Sequence, residues 1–259
     1  MQLLQMQMGM KTLVILIVAL FFALPSVLQA KQGAIYVVVV GVSNYQYIPS
    51  LTLPERDARM IAELYKKQTH HVILITGRYA TKKRIMQSVQ QQFALARKED
   101  TIVFAFSGHG YPGGICPYDM TNDIDSGISY ADIQTLLKKT KANKKIVFAD
   151  ACFSGGFRLD NAQSSVPLKD NPDILFFLSS RSGESSIETP FMTNGIFTTY
   201  LIRGLRGGAD TDRDRCITAK ELFQFVSQRV ISKSKGRQHP VMWGNFADEY
   251  VVLEWNSHP

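Results

Sequence analysis

Lys145-Ile146-Val147-Phe148-Ala149-Asp150-Ala151-Cys152-Phe153-Ser154-Gly155-Gly156 is an apolar run that stops abruptly in an acid, a thiol and two glycines. A short apolar run closed by glycine reads as a strand of the parallel type, buried on both faces. Its last residues then emerge at the carboxyl edge of a sheet, where open α/β sheets hold their ligands. A second stretch, Thr101-Ile102-Val103-Phe104-Ala105-Phe106-Ser107-Gly108-His109-Gly110, has the same form and ends in a histidine between glycines. If the two strands are parallel neighbours, His109 and Cys152 leave the same edge and meet there.

Outward from these two strands, apolar runs alternate with amphipathic segments, the pattern of a mostly parallel sheet with helices on both faces. Strands are expected at 35–42, which is almost all valine, at 71–76, at 174–178 and at 249–253. A helix is expected after the capping box Thr52-Leu53-Pro54-Glu55, with Ala58, Ile61, Ala62 and Tyr65 as its buried stripe. A longer one is expected over 81–98, and others after Ser129, Asn194 and Thr218 as N-caps. The segment 111–127, rich in glycine, proline and acids, is long for a connector and has room for a small hairpin. The sequence shows no internal repeat and no low-complexity linker.

The length of 259 residues suits one large α/β domain, 31–259, after a distinct leader. Lys11 precedes twelve uninterrupted apolar residues, followed by Pro25, Ser26 and the small Ala30, the layout of a secretory signal peptide at 1–30. An uncleaved N-terminal anchor is the alternative, and it would be the chain's one membrane contact. Either way the expectation is an exported protein, secreted or periplasmic. The net charge of +7 is spread thinly, and its one cluster (Arg229, Lys233, Lys235, Arg237) reads as a solvated helix end. Without basic residues interleaved with aromatics, no nucleic-acid partner is expected. The expected oligomeric state is a monomer. Three cysteines make no disulfide framework. Cys116 and Cys216 can pair in an oxidising compartment, leaving Cys152 free; three unpaired thiols are the alternative.

A thiolate attacks carbonyls, and an adjacent imidazole can take its proton and later hand one to a leaving amine. A lone strand-end cysteine is ordinarily an inert thiol, and a lone histidine an ordinary polar group. Together, each ending a matched apolar strand and each followed by glycine, His109 and Cys152 read as a base and a nucleophile. Gly110 lets the backbone approach a substrate closely, and the N–H groups of Gly110 and Cys152 suit an oxyanion.

Phe106-Ser107-Gly108-His109-Gly110 and Asp150-Ala151-Cys152-Phe153-Ser154-Gly155-Gly156 resemble the His and Cys motifs of caspase-like cysteine peptidases, closest to the metacaspases and their prokaryotic relatives. The histidine lies roughly 40 residues upstream of the cysteine, near the interval of about 50 in caspases. The resemblance runs over roughly 35–253. It implies a caspase-like three-layer α/β/α sandwich around a mostly parallel sheet of about six strands. It also implies a cysteine endopeptidase with His109 as general base and acid, Cys152 as nucleophile, no third triad member and no cofactor for the chemistry. Metacaspases carry an acid two residues before the nucleophile, here Asp150, and another in the first helix, here Asp57. Two carboxylates at the bottom of a pocket select Arg or Lys by charge and by the bidentate fit of guanidinium. Protein or peptide substrates with basic residues are therefore the expected partners. Asp57 taken alone reads equally well as an exposed helix acid. The rivals are a clan relative of clostripain or gingipain type with a different pocket, and a catalytically inactive caspase-fold binding or signalling module.

A second motif lies at 210–221. Asp210, Asp212 and Asp214 stand at positions 1, 3 and 5 of an EF-hand loop, with Glu221 at 12. Calcium is the ligand this pattern would hold. Arg215 occupies position 6, where the turn calls for glycine, and Glu221 also fits a capping box with Thr218. Asp119, Asp123 and Asp125 offer a weaker acidic group. Arg158 and Lys169 flank a polar segment after the nucleophile and would be sites of self-cleavage by a basic-specific peptidase.

Overall fold

β-Branched side chains suit a pleated strand buried on both faces. In β1 (Ile35–Gly41), Val38 and Val40 enter one half of the core while Val37 and Val39 enter the other. The structure, a computed structural model, describes residues 33–152, 174–180, 195–244 and 250–255, with Cys152 by its backbone alone. The leader reading, Arg158 and Lys169 fall outside the described residues, and the helix expected after an Asn194 cap has Gly195 as its N-cap. After β1 come α1 (Pro54–Lys66), β2 (Val72–Thr76), α2 (Lys82–Phe93), β3 (Thr101–Tyr111), β4 (Gly114–Ile115), β5 (Ile128–Ser129), α3 (Tyr130–Lys138) and β6 (Lys144–Cys152). Then follow β7 (Ile174–Leu178), α4 (Ile196–Arg203), β8 (Cys216–Thr218), α5 (Ala219–Lys233), β9 (Val241–Trp243) and β10 (Val251–Glu254).

The main sheet runs β2-β1-β3-β6-β7-β9, parallel except for β9, which lies antiparallel on β7. β4 and β5 extend β3 as a small antiparallel flap, the hairpin for which the 111–127 segment has room. One face packs on α1, α4 and α5 through Ile61, Tyr65, Phe197, Leu201, Leu222 and Val226. The other packs on α2 and α3 through Ile85, Val89, Phe93, Ile133 and Leu137. The result is the three-layer α/β/α sandwich that the alternation implies. Among the described residues no helix is long and apolar enough to cross a membrane.

Several local expectations are corrected. α1 is capped at Leu53 without a side-chain bond, and Ser43 Oγ, from the loop after β1, accepts the Glu55 N–H at 3.1 Å. α2 ends at Phe93 rather than Lys98, leaving Leu95 61% exposed although Ala96 is still buried. The last strand leaves the main sheet and pairs with β8 in a separate two-stranded sheet. β9, with a half-buried Val-Met-Trp run, is a sheet strand the periodicity does not announce. The capping boxes at Ser129 and Thr218 form as expected.

Cys116 and Cys216 are both free thiols, so the pairing weighed for them is not made. The fold explains why: Cys116 is buried on the α2/α3 face, whereas Cys216 sits in β8 beside Ile217, which belongs to the opposite face. Burial pushes the Cys116 thiol up to about 12. Partial burial, then the carboxylates of Asp214, Glu254, Asp210 and Asp212, also raise Cys216. Both raised values mean less thiolate at a given pH than a free cysteine has, and thiolate is the species that alkylates. Iodoacetamide at pH 8, followed by peptide mapping, should leave Cys116 unlabelled until the protein is unfolded and label Cys216 more slowly than glutathione.

Candidate active site

The parallel strands β3 and β6 are hydrogen-bonded neighbours, and their register pairs Ser107 with Asp150 and His109 with Cys152. Adjacent strands lie about 4.8 Å apart, so the two motif ends stand side by side at the carboxyl edge. Strand alternation carries Val103, Ala105, Ser107 and His109 on one parity of β3, and Ile146, Phe148 and Asp150 on the matching parity of β6. That parity faces α1 and α4.

His109 is 4% exposed and held from three directions. Its Nε2 lies 2.9 Å from the Pro49 carbonyl. A carbonyl only accepts, so Nε2 carries the proton and the neutral ring keeps its basic lone pair on Nδ1. The His109 backbone N–H donates to Tyr45 Oη at 2.6 Å, and the Tyr45 ring lies 5.0 Å from the imidazole. Gly108 makes this possible, because a Cβ there would stand 2.5 Å from Tyr45 Oη. Tyr45 and Pro49, both from the loop after β1, were not visible as site residues in the sequence. Gly110 is buried in β3 opposite Ile115 of β4, at the root of the flap. Tyr45→Phe leaves the buried His109 N–H without this acceptor, at a cost of about 1–3 kcal/mol. Thermal denaturation should show the loss, and any activity should fall with it.

Asp57 and Asp150 are both buried, at 1% and 9% exposure, and both face the start of α4. The Gly195 N–H donates to Asp57 Oδ1 and Oδ2 at 3.3 and 3.2 Å, and Ser107 Oγ donates to Oδ2 at 3.4 Å. Thr198 donates to Asp150 Oδ2 through its N–H at 3.2 Å and its hydroxyl at 2.8 Å. Gly195, the N-cap, has no side chain with which to cap its own helix. Asp150 performs that service from β6, and the positive end of α4 favours both carboxylates as anions. A Cβ on Gly195 would lie 2.7 Å from Asp150 Oδ2 and 3.1 Å from Asp57 Oδ2, so the two acids flank one point. Asp57 is thus not the exposed helix acid of its alternative reading. Ser107 lay in plain view inside the Ser-Gly-His-Gly motif; Gly195 and Thr198 gave no signal beyond a helix start. Gly195→Ala should push a methyl against both carboxylates, displacing Asp150 and lowering stability, which thermal denaturation would read.

The acidic loop is placed differently from the sheet edge. Asp210, Asp212 and Asp214 bring one carboxylate oxygen each within 4.8 Å of one another. Arg215 takes a left-handed φ of +70°, the conformation for which the turn calls for glycine. Glu221, however, accepts from Thr211 with Oε1 and from Thr218 with Oε2, and so serves the capping box. Burial acts to raise its carboxyl, but the bonds from Thr211 and Thr218 outweigh it and the net shift is downward. Asp119 accepts the N–H of Lys82 at the start of α2, 37 positions away, and Asp123 accepts the Asp125 N–H within its own turn.

Among the described residues, a six-strand main sheet path between two helix layers, with a histidine-bearing and a cysteine-bearing strand end side by side, is the arrangement of a caspase-like fold. A family description of the caspase domain matches residues 35–251, and the chain belongs to that family of cysteine-type peptidases. The structure is similar to that of a protein from Geobacter sulfurreducens, with a TM-score of 0.64 at 16% identity over 85% of this chain and 97% of the other. It is similar to pro-sf-caspase-1 as well, with a TM-score of 0.63 at 18% identity over 85% and 95% of the two chains. No curated protein matches the chain by sequence.

Proposed function

We propose that this domain is a cysteine endopeptidase that hydrolyses peptide bonds after Arg or Lys. The observation carrying the proposal is the β3/β6 register that makes His109 and Cys152 partners at the carboxyl edge. His109 Nδ1 takes the Cys152 thiol proton as the sulfur attacks the scissile carbonyl carbon. The N–H groups of Gly110 and Cys152 are the donors for the resulting oxyanion, each worth roughly 10²–10³ in turnover. Collapse of the tetrahedral intermediate breaks the C–N bond, and imidazolium gives its proton to the leaving amine. Water, deprotonated by the same nitrogen, then attacks the thioester and releases the carboxylate product and the thiol. The Pro49 carbonyl orients the ring throughout by holding the Nε2 proton. No step uses the acidic loop 210–221.

The specificity half of the proposal rests on Asp57 and Asp150, two buried carboxylates that both face the start of α4 and would draw a guanidinium or ammonium by charge. The test is hydrolysis of fluorogenic peptides that differ only in the residue before the scissile bond. Turnover after Arg and Lys, with none after Asp or Leu, is the expected result. A different first-position preference would make the protein a peptidase with another pocket. No turnover on any peptide, together with retained peptide binding, would make it a binding module of the caspase fold.

A further inference from the structure

The outer edge of the sheet at β2 carries chemistry that the proposed reaction leaves unused. Among the described residues β2 pairs with β1 alone. Val37 donates to the His71 carbonyl, and groups alternate along a parallel ladder, so Val72 and Leu74 turn their N–H and C=O outward and Thr76 its N–H, the Thr76 carbonyl opening the 3₁₀ turn Gly77–Tyr79. Such a row is a template for another strand unless it is covered or blocked by charge or proline. Here the edge is Val-Ile-Leu-Ile-Thr, without a charge or a proline. It borders a groove of about 470 Å³ whose lining includes Ile73, Thr76, Arg78, Tyr79, Thr81 and Arg84. Arg78 and Arg84 are exposed, and neither makes an ion pair among the described residues. Among the described residues no carboxylate lines the groove. Glu55, the acid beside Gly77, is paired with Arg59, and Asp119 is spent on the Lys82 N–H. Tyr79, 64% exposed, adds an aromatic ring beside Arg78, whose guanidinium donates to its Oη at 3.0 Å.

We propose that the open edge of β2 takes an extended acidic peptide segment of another protein as an added strand, its main chain on Val72, Leu74 and Thr76 and its carboxylates on Arg78 and Arg84. The two cations favour carboxylate-bearing strands and repel a second copy of the same edge, which would bring four cations together. The site is separate from the Asp57/Asp150 pocket and holds whether or not the domain cleaves peptides.

The test uses the full chain and a fluorescein-labelled peptide of alternating Glu and Val, long enough to span the five residues of β2, read by fluorescence anisotropy. The probe has no Arg or Lys, so the proposed peptidase does not act on it. Binding should exceed that of the Lys/Val counterpart by about tenfold or more at low salt and should weaken as screening shortens from about 30 Å to 8 Å between 0.01 and 0.15 M. The double variant Arg78→Glu/Arg84→Glu should lose at least about tenfold in affinity, since both side chains are exposed and their reversal leaves the fold intact by circular dichroism. A probe N-methylated at every residue, which has no backbone N–H left on either edge to donate to the β2 carbonyls, should fail to bind. Equal binding of the methylated probe, or of the Lys/Val peptide, would overturn the proposal. So would a peptide-free dimer, seen by sedimentation, that the double variant dissolves, because the edge would then belong to a second copy.

Discussion

Replacing Cys152 with alanine is expected to lower kcat/KM on an Arg-ending fluorogenic peptide by about 10³-fold or more, down to what binding and the oxyanion donors alone sustain. His109→Ala should cost about as much, because base and nucleophile act as a unit. The double variant should then be no worse than either single one. That non-additivity is the informative part. His109 and Cys152 are register partners on adjacent strands, and a pair that exchanges one proton loses its function when either member goes. Additive losses would mean that the two residues act in separate steps, and the proposed dyad would be abandoned. Loss of the fold is guarded against by the melting curve. His109 is buried, with Nε2 on the Pro49 carbonyl, so His109→Ala should melt lower, whereas His109→Gln retains a donor for that carbonyl.

The second large effect is expected at the acid pair. Asp150→Asn should reduce kcat/KM for Arg peptides by about 10²–10³-fold, in line with the roughly 2–5 kcal/mol lost when one partner of a buried hydrogen-bonded charge pair is neutralised. Peptides with Gln at the same position should be hardly affected, so the Arg-to-Gln preference collapses. Asparagine is the right replacement because its amide oxygen still accepts from Thr198 and caps α4, as Asp150 does. Asp57→Asn should act in the same direction, for its carboxylate meets the same point beside Gly195. An unchanged Arg-to-Gln ratio in both variants would show that these acids hold α4 in place and recognise nothing.

The two strand ends could be read from the chain because each is a local pattern: an apolar run, a reactive side chain, a glycine. Caps at Ser129 and Thr218 were legible for the same reason, since the motif and the bonds it makes span four residues. The Thr52–Glu55 box failed as a guide because a competitor from outside, Ser43 Oγ, reached the Glu55 N–H. β9 was hidden by its shortness and by half-buried side chains that show no alternation. β10 was seen as a strand but not as a member of the wrong sheet, for pairing partners are long-range facts.

The amino-acid order alone determined that this is a mostly parallel α/β chain with His109 and Cys152 at strand ends, because burial on both faces demands continuous apolar runs and glycine marks where they stop. What only the tertiary structure decided was the pairing: that β3 and β6 are neighbours in a register setting those two residues opposite each other. It also decided that Pro49 and Tyr45 hold the imidazole, and that the start of α4 gathers Asp57 and Asp150 around Gly195. These contacts join residues about 50 to 140 positions apart, and their cost in chain entropy is met by the shared core, which leaves no local mark on the sequence.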